Sequence, residues 1–133
     1  LSRKNRRKRH TQQSQPDSKI FFSLLTVRLL KDALHFFEAF LRCEPDKTPN
    51  LPFAKEVVAG LKAKLNEMLE REEWHEETPL DYNEIHLLHT SCAMYLIELK
   101  FTHQYTLIPP CIQLCKQLAL VVEHVDKEVR SQH

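Results

Sequence analysis

One stretch constrains this chain more than any other: IFFSLLTVRLLKDALHFFEAFL, residues 20–41. Fifteen of its 22 residues are apolar, and neither Gly nor Pro interrupts it. Turned at about 100° per residue, Arg28, Lys31, Asp32, His35, Glu38 and Arg42 share an arc of roughly 120°, and apolar side chains cover most of the remainder. An amphipathic surface helix needs an apolar stripe only on the order of 100° wide. The stretch therefore predicts a hub helix that ends near Cys43 and buries itself against more than one neighbour. Ser18, with Asp17 beside it, is the expected N-cap.

Prolines and polar clusters divide the rest. Pro45 and Pro49 make a loop, and a second helix is expected from Pro52 to Trp74 on the repeat of Phe53, Val57, Val58, Leu61, Leu65, Met68 and Leu69. Gly60, the only glycine of the chain, falls inside it at a cost of about 1 kcal/mol relative to Ala, which predicts a close approach of a neighbouring helix. Thr78 as N-cap and Pro79 as first helical residue predict a third helix running to about Thr102. Ile85, Leu88, Cys92, Tyr95, Leu96 and Leu99 form its inner stripe, with His86, His89, Ala93 and Ile97 in a second stripe alongside. Pro109 and Pro110 open a fourth helix, whose stripe includes Ile112, Cys115, Leu118, Val122, Val125 and Val129. Four long helices and short loops predict an all-α, up-down-up-down four-helix bundle over residues 18–131.

Charge is segregated along the chain. Over residues 1–19, seven cations against Asp17 give +6, whereas twelve basic and seventeen acidic groups give −5 over residues 20–133. Residues 1–17 carry one apolar side chain and are expected to be a disordered basic tail. Arg3, Lys4, Arg6, Arg7, Lys8 and Arg9 read as a nuclear localisation signal or a polyanion-binding arm; the same run fits a dibasic processing site. Without interleaved aromatics, nucleic-acid contact through the tail would be non-specific and phosphate-led. No run of about 18 uncharged apolar residues is present, so no membrane span is expected. A chain that opens on Leu1 reads as a fragment or processed product.

Motifs for chemistry are sparse. His86-x-x-His89, Asp32-x-x-His35 and Glu72-x-x-His75 have metal-ligand spacing but lack the further ligands a site needs, so neither metal nor cofactor is implied. Of Cys43, Cys92, Cys111 and Cys115, Cys111 falls in a first helical turn, where the helix dipole lowers a thiol pKa; a packed core cysteine is the simpler reading. With one glycine there is no phosphate-cradling loop, and no nucleophile motif occurs, so no catalytic residues are assigned. The expectation is a non-enzymatic protein–protein interaction domain of an intracellular, nuclear protein. Its partner would be an amphipathic helix docking on an edge of the hub helix left open at Phe22, Phe37 or Leu41, or anchored at Trp74; the simpler arrangement packs the hub centrally with its phenylalanines in the core. The alternative is a secreted helical-bundle ligand, released by cleavage at the basic run and held by disulfides.

Overall fold

A computed structural model describes residues 18–21, 23–71 and 77–132. The chain is all-α in class, with four helices in an up-down-up-down bundle: α1 (Leu24–Cys43), α2 (Leu51–Arg71), α3 (Tyr82–Phe101) and α4 (Ile108–Ser131). A short 3₁₀ turn, Pro45–Lys47, follows α1. Two four-residue strands, β1 (Ser18–Phe21) and β2 (Glu77–Leu80), pair antiparallel with Ser18 opposite Leu80 and Phe21 opposite Glu77.

This ribbon moves two helix starts. Residues 19–21 were expected inside the hub helix, with Ser18 as its cap. They pair with β2 instead, and the cap passes to Ser23, whose side chain accepts from the Thr26 backbone N–H at 3.2 Å. Likewise Thr78 and Pro79 lie in β2, and Asp81 caps α3. Its carboxylate accepts from the Glu84 N–H at 2.8 Å, while Glu84 accepts from the Asp81 N–H at 3.0 Å, closing a capping box. Pro79 has no N–H to contribute, which suits a strand at the edge of a ribbon. The buried Glu84 carboxylate also takes the Lys64 ammonium at 2.6 Å, and Lys64 donates to the Pro79 carbonyl at 3.3 Å. The start of α3 is thereby tied to α2.

The four helices do not pack as a square. α3 lies closely against both α4 and α1, and α1 also against α2; α2 meets α3 more loosely, and α1 scarcely touches α4. The inner pair is thus α1 and α3. The breadth of α1 follows from that position: Val27, Leu29, Leu30, Ala33, Leu34, Phe37 and Leu41 are all buried. The main core joins its first half to Leu61 and Leu65 of α2, Ile85, Leu88 and Cys92 of α3, and Leu114, Leu118 and Val125 of α4. A second cluster gathers Phe37, Leu41 and Val58, with Leu87 and Met94 of α3 against it.

Gly60 departs from its expected role. It is exposed, and a Cβ built there would meet nothing within 4 Å among the described residues. No helix of the bundle approaches it. α3 ends in a Schellman motif, with the Gln104 N–H on the Leu99 carbonyl at 3.0 Å and the His103 N–H on that of Lys100 at 3.3 Å. His103 takes the left-handed conformation this requires, at φ 58°.

Candidate functional site

The loose contact between α2 and α3 opens a cleft of about 240 Å³. Phe37 of α1 forms its floor; Phe53, Ala54 and Val57 form the α2 wall, and Asn83, His86, Leu87 and Thr90 the α3 wall. Most of this lining is apolar, with Asn83, His86 and Thr90 placing polar groups on one side. Such a composition suits a large apolar group entering with a few directed hydrogen bonds.

The α3 wall continues beyond the cleft. Asn83, Leu87, Thr90, Met94, Ile97 and Phe101 follow one another at alternating intervals of four and three, within an arc of roughly 80°. The buried residues Ile85, Leu88, Cys92 and Leu99 lie on the opposite face of the same helix, so α3 carries two apolar seams. The outer one is open at its end: Ile97 is 67% exposed and Phe101 82%, with Tyr105 exposed just past the helix. Across the cleft, Phe53 is 44% exposed.

One flank of α3 is fastened to α4 by a polar cluster. His86 Nε2 lies 2.8 Å from Asp126 Oδ1, and the Tyr82 ring tilts over the His86 ring at 4.4 Å between centroids. Hydrogen bonds from His86 and Tyr82 hold the Asp126 carboxyl below its usual range. In turn the Asp126 hydrogen bond, with burial and the carboxylate charge adding to it, raises the Tyr82 phenol. His86 thus serves a bundle contact rather than a pair with His89, and among the described residues no three His, Cys, Asp or Glu groups converge as metal ligands. Asp32 and His35 are both exposed on α1, and Glu72-x-x-His75 lies outside the described residues.

The thiols of Cys92, Cys111 and Cys115 gather where α3 meets α4. Cys111 Sγ donates to the Cys92 carbonyl at 3.8 Å. Burial, with the neighbouring Cys115 adding to it, pushes the Cys111 thiol up to about 12, and burial likewise raises Cys92 and Cys115. Cys111 is a core thiol, 1% exposed, while Cys43 is free and exposed at the end of α1.

The docking residues expected from sequence divide into two groups. Phe37 and Leu41 are buried, at 7% and 1% exposure, and neither forms an open edge of the hub helix; Phe37 reaches the site only as the floor of the cleft. Phe22 and Trp74 lie outside the described residues, as do Arg3, Lys4, Arg6, Arg7, Lys8 and Arg9. The open seam on α3 and the Phe53 wall were not singled out from sequence. Their signal is the four-three spacing from Asn83 to Phe101, which runs beside an equally apolar inner stripe. Comparison of the chain with models of known families, with curated proteins and with solved structures finds no match.

Proposed function

We propose that this chain is a non-enzymatic protein–protein interaction domain of an intracellular, nuclear protein, and that its docking surface is the cleft between α2 and α3 together with the open seam of α3. The observation that carries this reading is the cleft itself: an apolar floor and wall of Phe37, Phe53, Val57 and Leu87, continuing into exposed Ile97 and Phe101. An amphipathic helix would lie along it and set one large side chain into the cleft, as in other helix-in-groove recognition. The basic run at residues 3–9 would serve nuclear import or polyanion contact.

A photo-crosslinking amino acid placed at Phe53 in cells tests the surface, with the same group at exposed Leu120 of α4 as the control. Discrete adducts at Phe53 that are absent at Leu120, and lost on Thr90→Glu, are the expected result. Identical adducts from both positions would remove the assignment. Deleting residues 1–9 should shift a reporter fusion out of the nucleus; unchanged nuclear accumulation would end the import reading.

A further inference from the structure

We infer that the helix received by this surface is α3 of a second copy of the same chain, the two α3 helices running antiparallel about a two-fold axis near Met94. This rests on the reading of the cleft as a helix-docking groove. Cleft and ridge lie on one seam of one helix. Leu87, in the cleft wall, stands seven residues before Met94, and Phe101, the most exposed large apolar residue, stands seven after it. At 1.5 Å per residue each is about 10 Å from Met94 along the axis. A two-fold axis at Met94 therefore sets Phe101 of each copy against the other's Leu87 and cleft, with Ile97 beside the other's Thr90. The alternating four-three spacing is that of a two-helix seam, in which such side chains interlock. An isologous interface needs this self-complementarity, a ridge and a matching hollow at equal distances from the axis.

Charge favours the same pairing. Lys100 is exposed, and among the described residues no ion pair engages it. It projects from the flank of α3 that also carries His86 and, bonded to it, Asp126. In an antiparallel pair like flanks face each other, so Lys100 of one copy approaches Asp126 of the other. The basic tail is a poor occupant by contrast, since residues 1–17 hold a single apolar side chain, Leu1. Area lies at the low end of what a stable interface needs. Scaled by the exposure each keeps in the single copy, Phe101, Tyr105, Ile97 and Phe53 offer on the order of 500 Å² per copy, against roughly 600 Å² per partner in the smaller stable interfaces, and half-buried Met94 adds to it at the axis.

Sedimentation equilibrium on the full chain, with Cys43→Ser to exclude adventitious disulfides, reads the assembly. A dimer is expected at about 100 µM, and Phe101→Asp should weaken it at least about a hundredfold. Phe101 is exposed in the single copy, so its helical circular dichroism should be unchanged. Met94→Cys reads the register: mild oxidation should link two copies through that position, whereas Leu120→Cys on α4 should not link. A monomer at about 100 µM, a dimer indifferent to Phe101→Asp, or no link through Met94→Cys would each overturn the second-copy assignment. The groove reading would survive a monomer that still gives discrete adducts with a different protein from Phe53; loss of those adducts as well would remove both.

Discussion

α1 and α3 are both apolar over far more of their circumference than one neighbour can cover, yet they resolve the excess in opposite ways. α1 lies between α2 and α3 and buries seven apolar residues, so its width is consumed inside the bundle. α3 also sits between two helices, but its second stripe is covered only in part: Leu87 and Met94 pack against the Phe37, Leu41 and Val58 cluster, while Ile97 and Phe101 beyond them are exposed. A broad apolar arc therefore does not by itself mark a docking surface. What matters is whether the second stripe adjoins the first, as on α1, where neighbours on both sides cover it, or opposes it, as on α3, where the described helices leave its far end uncovered.

The largest effect that sharpens this contrast is a core truncation in α1. Leu34 is fully buried, and Leu34→Ala should cost about 2–5 kcal/mol in urea unfolding. A loss under about 1 kcal/mol would mean that α1 is not the inner helix described here.

Much of this arrangement was legible in the sequence. Prolines and apolar periodicity placed the four helices, although the first cap lies at Ser23 rather than Ser18 and the expected end of the second helix, Trp74, lies outside the described residues. The ribbon was not legible, because Ile20 and Phe21 continue the apolar run of α1 and their partners lie far along the chain at Glu77–Leu80. The cap of α3 was displaced for the same reason: Thr78 and Pro79 suit a helix start locally, but β2 claims them and Asp81 is the next capping residue. The open seam of α3 was hidden by its own composition. When two opposite faces are both apolar, periodicity cannot say which meets the core, and that depends on how the other helices pack. Cys111 shows the same limit, since its place in the first turn is local information and its burial is not.

A smaller effect is expected where α3 is fastened to α2. Glu84→Ala removes the return half of the capping box and the partner of Lys64, and should cost about 1–3 kcal/mol by thermal unfolding. Glu84→Gln should recover part of this, because its amide oxygen can still accept from the Asp81 N–H.

Smaller again, and opposite in sign, is Gly60→Ala. The position is helical and open, so the substitution should stabilise the domain by about 0.5–1 kcal/mol. A loss of stability would show that something outside the chain, or a tighter helix packing, needs the missing Cβ.

The least effect concerns the α3–α4 fastening and acid. The Asp126 carboxyl is held below its unfolded value by its bonds to His86 and Tyr82. Its contribution is therefore complete above about pH 4, the unfolded aspartate value, and is lost as pH falls through the lower folded value. Asp126→Asn should flatten that part of the acid unfolding curve and leave its neutral limb parallel to the wild type. An unchanged acid limb would deny the cluster a role in joining the two helices.

The contrast between the two helices is tested most directly by one pair of truncations, Phe37→Ala on α1 and Phe101→Ala on α3, compared by urea unfolding at submicromolar protein. The two substitutions are chemically identical and sit on the inner and outer apolar faces. The account predicts a loss of about 3–5 kcal/mol for Phe37→Ala and within about 0.5 kcal/mol of wild type for Phe101→Ala. Equal losses at the two positions would contradict it, because Phe101 would then be part of the folded core and α3 would have no open face.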